Sequence, residues 1–152
     1  MTISSTARVV AVCVSQGGIP RVPAESLILT DQGIAGDEHR YEAHYAENRG
    51  VSLFDQESIE RMTQADWPLG PGCVGENITL EGIDIGGMEV GQILELGTVR
   101  LELSRLWIPC HAASHTTGES RINTEKLPGY FAKILRPGTL EPGCLVRLGE
   151  GQ

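Results

Sequence analysis

Apolar residues in this chain fall in short runs and alternations, the spacing of strands more than of helices. Val9-Val-Ala-Val-Cys-Val14 is a continuous β-branched run and predicts a buried strand, with Cys13 as a small core residue. Ser26-Leu-Ile-Leu-Thr30 predicts a second strand. Val51-Ser-Leu-Phe54 predicts a third, running straight into a helix. Asp55 suits the N-cap of that helix, and Glu57 places negative charge in its first turn. Phe54 and Ile59 have the spacing of a hydrophobic staple. Ile59, Met62 and Ala65 give the helix one apolar stripe before Pro68 and Gly70 stop it. Further strands are expected at Asn77–Glu81, Ile93–Leu96 and Val99–Ser104, with Gly97-Thr98 as a hairpin turn. Tyr130–Leu135 and Cys144–Leu148 complete the set, joined through Pro137-Gly138 and Pro142-Gly143. So many short strands and so little helix predict a mostly β fold, a closed or partly closed β-barrel with one or two short helices.

The length of 152 residues fits one domain, 1–152, with no repeat or linker. A net charge of −8 and a pI near 4.9 argue against nucleic acid and against an anionic membrane surface as partners. An anionic ligand would need a local cluster of the ten arginines. No apolar run approaches the ~18 residues of a membrane span. Met1–Arg8 lacks the basic and apolar regions of a signal peptide, so a cytoplasmic location with reduced cysteines is expected. Cys13, Cys73, Cys110 and Cys144 form no Cys-x-x-Cys pair.

Three segments are more polar than a plain barrel requires. In Val99–Cys110 the alternation of Val99, Leu101 and Leu103 breaks at Leu106-Trp107-Ile108, and Pro109 ends the strand. Cys110 is therefore expected just past a strand end, with Arg105, His111 and His115 close in sequence to favour its thiolate. A buried structural cysteine is the alternative. In Gly33-Ile-Ala-Gly-Asp37-Glu-His39-Arg40 the glycines let a ligand approach the main chain, or simply form a turn capped by Asp37 with His39 exposed. Gly70-Pro-Gly-Cys73-Val-Gly75-Glu76-Asn77 suits a rigid loop around a polar ligand, and a simple loop does not explain the Glu-Asn pair at a strand entrance. Cys73 approaching Cys110, or a zinc site from His39, His111, His115 and Cys110, are weaker options, the latter matching no standard zinc spacing.

Taken together and in order, these motifs resemble the MOSC domain, the family named after the C-terminal domain of molybdenum-cofactor sulfurase. The resemblance runs through Gly33–His39, Pro71–Asn77, Gly82-Ile-Asp84, Gly91–Gly97, Pro109-Cys110, Gly129–Leu135 and Pro142–Leu148. It looks like the small stand-alone bacterial type, without a desulfurase domain, so pyridoxal phosphate is not expected on this chain. The resemblance implies a mostly β, barrel-like fold with Cys110 in a cleft, carrying sulfur as a persulfide or ligating the metal of a molybdenum cofactor (molybdopterin). Asp37, His39, Glu76 and Asn77 map to the family's polar motifs and would line the cleft. Arg105 stands near the family's basic residue before Pro-Cys, displaced here by Leu106-Trp107-Ile108.

The reading that results is a sulfur carrier or cofactor-binding protein built on Cys110. His111 or His39 would move protons, and Arg40, Arg105 or Arg49 would offset ligand charge. A separate sulfur-donor protein is the implied partner. Two alternatives remain: a cysteine-dependent enzyme acting on a small sulfur compound by thiol transfer or carbon–sulfur cleavage, and a non-catalytic cofactor carrier. The polar segment from His111 to Thr124 has no apolar period to anchor it, and is expected to close over Cys110 as a lid.

Overall fold

The computed structural model describes residues 3–14, 22–30, 33–34, 50–62, 70–72, 76–107 and 127–149. In chain order these form β1 (Ile3–Val14), β2 (Val22–Ala24), β3 (Leu27–Thr30), β4 (Gly33–Ile34), β5 (Val51–Asp55), α1 (Gln56–Met62) and β6 (Ile78–Ile83). A 3-10 turn at Ile85–Gly87 follows, then β7 (Ile93–Leu96), β8 (Val99–Trp107), β9 (Gly129–Arg136), β10 (Gly138–Leu140) and β11 (Val146–Gly149).

Eight strands form one sheet in the order β11-β7-β8-β9-β5-β6-β1-β2, and β10-β3-β4 form a second, three-stranded sheet. The β5–β6 pair is parallel, which requires a crossover, and α1 lies in that connection. The predicted turn at Gly97-Thr98 joins β7 to β8, with Gly97 at φ 62°, a left-handed conformation that suits glycine. β2, β4 and β10 lie where the sequence pattern predicts no strand. Gly33-Ile34 pairs with β3 instead of forming only a turn, and the expected connection at Gly138 is itself a strand, paired with Leu27–Leu29.

The protein is mostly β, as expected, but no closed barrel forms among the described residues. The large sheet curls far enough to bring the approach to β11 onto β1. Val9 N–H donates to the Cys144 carbonyl at 2.8 Å, Gly143 N–H donates to the Val9 carbonyl at 2.7 Å, and Arg8 forms an isolated bridge with Leu145. That single bridge replaces the continuous ladder that closure would require.

The main core sits on the inner, concave side. Val9, Leu53, Ile78, Leu80, Leu94, Leu101, Leu103 and Tyr130 belong to one buried cluster that also takes in Leu27, Leu29 and Leu140 of the small sheet. Each fully buried leucine there contributes about 1.5–3 kcal/mol. Two irregularities matter for the opposite face. Leu103 pairs with Ala132 but Arg105 pairs with Phe131, so Ser104 is an extra residue in β8. Arg100 pairs with Arg136 but Leu101 pairs with Ile134, so Leu135 is an extra residue in β9. The Ser104 hydroxyl donates to the Phe131 carbonyl at 3.0 Å, anchoring the first bulge. This is why β8 runs on to Trp107 after the alternation ends at Ser104.

Candidate functional site

Side chains alternate across a strand, so Val51 and Leu53 enter the core cluster while Ser52 and Phe54 face the other way. That outer face collects the polar residues. β5 is nonetheless buried at all five positions, because α1 packs against β5 and β6 and buries Ile59 outside the main cluster. Asp55 caps α1: one carboxylate oxygen accepts from Ser58 N–H at 3.2 Å and the other from the Ser58 hydroxyl at 2.8 Å. Burial pushes the Asp55 carboxyl above the usual aspartate range, against the lowering effect of those two bonds.

Glu76 and Asn77, both predicted as cleft residues, are buried at the entrance to β6. Glu76 Oε2 accepts from Gly72 N–H at 2.9 Å and from the Thr79 hydroxyl at 2.7 Å. Gly72 holds φ at 87°, so the carboxylate fixes a turn only glycine adopts readily. Asn77 joins three strands. Its Oδ1 accepts from Ser52 N–H at 3.0 Å and from the Ser52 hydroxyl at 3.1 Å, and its Nδ2 donates to the Cys13 carbonyl at 3.3 Å. Its backbone N–H donates to the Ser52 hydroxyl at 3.0 Å, and Cys13 N–H donates to the Asn77 carbonyl at 2.7 Å. Asn77 is thus a staple between β5, β6 and β1. Its partner Ser52 is not predicted from sequence; the available signal is a hydroxyl inside the apolar run Val51-Ser-Leu-Phe54.

Arg105 lies on the same outer face, exposed, opposite Phe131, which is in turn opposite Ser52. Arg105, Phe131, Ser52 and Asn77 therefore form one row, with Arg105 about 14 Å from Asn77 at the usual strand spacing. Trp107 ends β8 over Gly129. Its ring meets Phe131 at 5.4 Å and Phe54 edge-on at 6.1 Å between centroids. A Cβ on Gly129 would run into the Leu53 carbonyl and lie 2.9 Å from the Trp107 ring, so only glycine leaves room for the indole.

Cys13 is fully buried, as expected. Cys144 is half-buried against the core, and burial pushes its thiol up, away from the reactive thiolate. Asp37, His39, Arg40, Cys73, Cys110, His111, His115 and the expected lid from His111 to Thr124 lie outside the described residues. No helix among the described residues is long and apolar enough to cross a membrane.

Several solved structures share this fold. YiiM from Geobacillus stearothermophilus is 20% identical, with a TM-score of 0.74 over 95% of this chain and 75% of its own. YiiM from Escherichia coli is 20% identical, with a TM-score of 0.68 over 94% of this chain and 70% of its own. The YuaD protein from Bacillus subtilis is 16% identical, with a TM-score of 0.74 over the full length of both chains. No curated protein matches the chain. Residues 40–148 match the MOSC domain, a span that begins after Asp37 and His39 and includes Glu76, Asn77, Arg105, Cys110 and His111. The chain belongs to the MOSC domain family.

Proposed function

We propose that the protein carries sulfane sulfur on Cys110. The observation that supports this best is the convergence of Arg105, Trp107 and the Glu76–Asn77 cluster on one face where β8 ends. Cys110 follows Trp107 by three residues, a stretch of chain that spans at most about 11 Å. Burial of Cys13 and the raised thiol of Cys144 favour the same choice. In the proposed step the Cys110 thiolate attacks the outer sulfur of a donor persulfide. A sulfur–sulfur bond forms on Cys110, the donor's sulfur–sulfur bond breaks, and the donor leaves as a thiolate that takes up a proton. Arg105 offsets the negative charge of the persulfide, and His111 or His39 carries the proton.

The family also suggests a molybdenum cofactor. The described residues do not fit it as ligands. Among them no three His, Cys, Asp or Glu side chains are grouped to hold a metal. Glu76 Oε2 and the Asn77 amide are directed at Gly72, Thr79, Ser52 and Cys13, so these two residues shape the face from within. Arg105 is the one described candidate exposed toward an anionic group.

Mass spectrometry of protein purified without reductant and then incubated with glutathione persulfide tests the proposal. The expected result is one added sulfur atom on the peptide containing Cys110 and none in Cys110→Ser. Sulfur on Cys73 or Cys144 alone would refute the assignment. A co-purifying pterin with an unmodified thiol would favour the cofactor-carrier reading, and an inert thiol with neither would favour an enzyme acting on another sulfur compound.

A further inference from the structure

The outer face of β8 and β9 carries a concentration of cations that sequence alternation alone would not produce. Val99, Leu101 and Leu103 point into the core, and strict alternation would send Arg105 after them. The extra residue Ser104 turns Arg105 onto the outer face beside Phe131. Arg136 and Lys133 are an odd number of residues apart, so alternation would split them between faces. The extra residue Leu135 sets Arg136 opposite Arg100 and Lys133 opposite Glu102, on the same side. Both bulges thus bring cations onto one surface of a chain whose net charge is −8. Arg100 and Arg136 sit directly opposite each other, an arrangement that costs stability. Arg100 bonds Glu95 at 2.9 Å, and Arg147 on β11 faces Glu95 from the other side. Arg105, Arg136 and Arg147 are exposed. The ribbon runs along β8 from Arg100 to Arg105 and Trp107, the residue from which the chain leads to Pro109 and Cys110.

We infer that this ribbon is the docking surface for an acidic protein, namely the persulfide-bearing donor that loads Cys110; the inference rests on the proposed sulfur carriage. A protein partner fits better than nucleic acid. Glu95 and Glu102 lie among the cations, and an acidic protein can set its carboxylates on the arginines while leaving uncharged residues against each glutamate, whereas the regular charge of a phosphate backbone would set like charge against both. Attraction along such a ribbon raises encounter rates and fades as salt screens it.

The test uses a fluorescent glutamate-rich peptide containing one cysteine, read by anisotropy against wild type and an Arg136→Gln, Lys133→Gln double variant. Neither substitution touches the proposed sulfur site, and Arg8→Glu, on β1, controls for net charge. The wild type is expected to bind the peptide with an affinity that falls as salt rises. The double variant is expected to lose roughly tenfold, with Arg8→Glu close to wild type. Equal binding by wild type and the double variant, no binding at low salt, or tighter binding of a thymidine oligonucleotide of equal charge would each overturn the inference. A second readout separates the two ideas: sulfur uptake by Cys110 from the same peptide as its persulfide and from glutathione persulfide. The acidic donor is expected to load Cys110 faster in wild type, with that advantage lost in the double variant. Peptide binding without sulfur uptake from either donor would sink the sulfur-carrier function and leave the acidic-partner surface standing.

Discussion

The outer faces of β5–β6 and of β8–β9 belong to one sheet and are crossed by one row of residues, Asn77, Ser52, Phe131 and Arg105. They behave oppositely. On β5–β6 the face is covered, and its polar groups are buried and bonded to one another: Ser52 to Asn77, Glu76 to Thr79, Asp55 to Ser58. On β8–β9 the face is open at Arg105 and Arg136, which point to solvent, and Arg100 is held by Glu95 at 2.9 Å. A buried polar group that loses its partner keeps its desolvation penalty, whereas an exposed one exchanges a partner for water. The covered half should therefore be structurally brittle and the open half free to change with its partners.

Substitutions can break this contrast, and the largest effect is expected at Asn77. Asn77→Ala removes the acceptor that holds the Ser52 N–H and hydroxyl and the amide that donates to the Cys13 carbonyl, and should cost about 3–5 kcal/mol in urea unfolding. A loss below about 1 kcal/mol would mean that the staple is not structural. Glu76→Ala should cost about 2–3 kcal/mol, because Gly72 N–H and the Thr79 hydroxyl lose their shared buried acceptor. Glu76→Gln, which retains an acceptor oxygen, should recover part of that loss. Gly129→Ala should cost about 1–3 kcal/mol by overpacking against the Leu53 carbonyl and Trp107, with a change in near-ultraviolet circular dichroism from the displaced indole.

Smaller effects sharpen the comparison. Asp55 has a raised folded pKa, so the native state holds its proton more tightly than the unfolded chain does. Its contribution to stability is therefore lost as pH rises from the ordinary aspartate value of 3.8 through the folded pKa. Asp55→Asn keeps the cap acceptor and should flatten this part of the pH profile in thermal unfolding; an unchanged slope would exclude Asp55 as its source. Arg136→Glu on the open face should leave stability within about 0.5 kcal/mol of wild type.

Much of this architecture can be read from the sequence where local pattern and tertiary demand agree. β7 matches its predicted bounds, and the helix begins at the cap Asp55 because both signals are local. β2, β4 and β10 are two or three residues long and carry Pro23, Gly33 and Gly138, so only their pairing partners make them strands. Barrel closure is not encoded in periodicity, since it depends on curl and register across distant strands. For the site, the glycine-rich loop with Glu76-Asn77 is identifiable as unusual, but the direction of those side chains depends on Ser52 and Thr79. Arg105 can be found as a cation near Cys110, whereas the bulge that turns it outward depends on pairing with β9.

The junction of Val9 with Gly143 and Cys144 has a consequence for synthesis. At about 5–20 residues per second, the ribosome needs roughly 7–27 s to travel from one end of that junction to the other. β1 is made first, and its neighbour β6 emerges midway, so the β1–β6 ladder can form early while the contact at Cys144 waits for the last strand. During that interval β2 can already pair with Val12 to Val14, and the part of the β1 edge that waits for its partner is Arg8 and Val9. Slowing or speeding translation across residues 84–143 should therefore change the yield of folded protein more than the same change placed before β6.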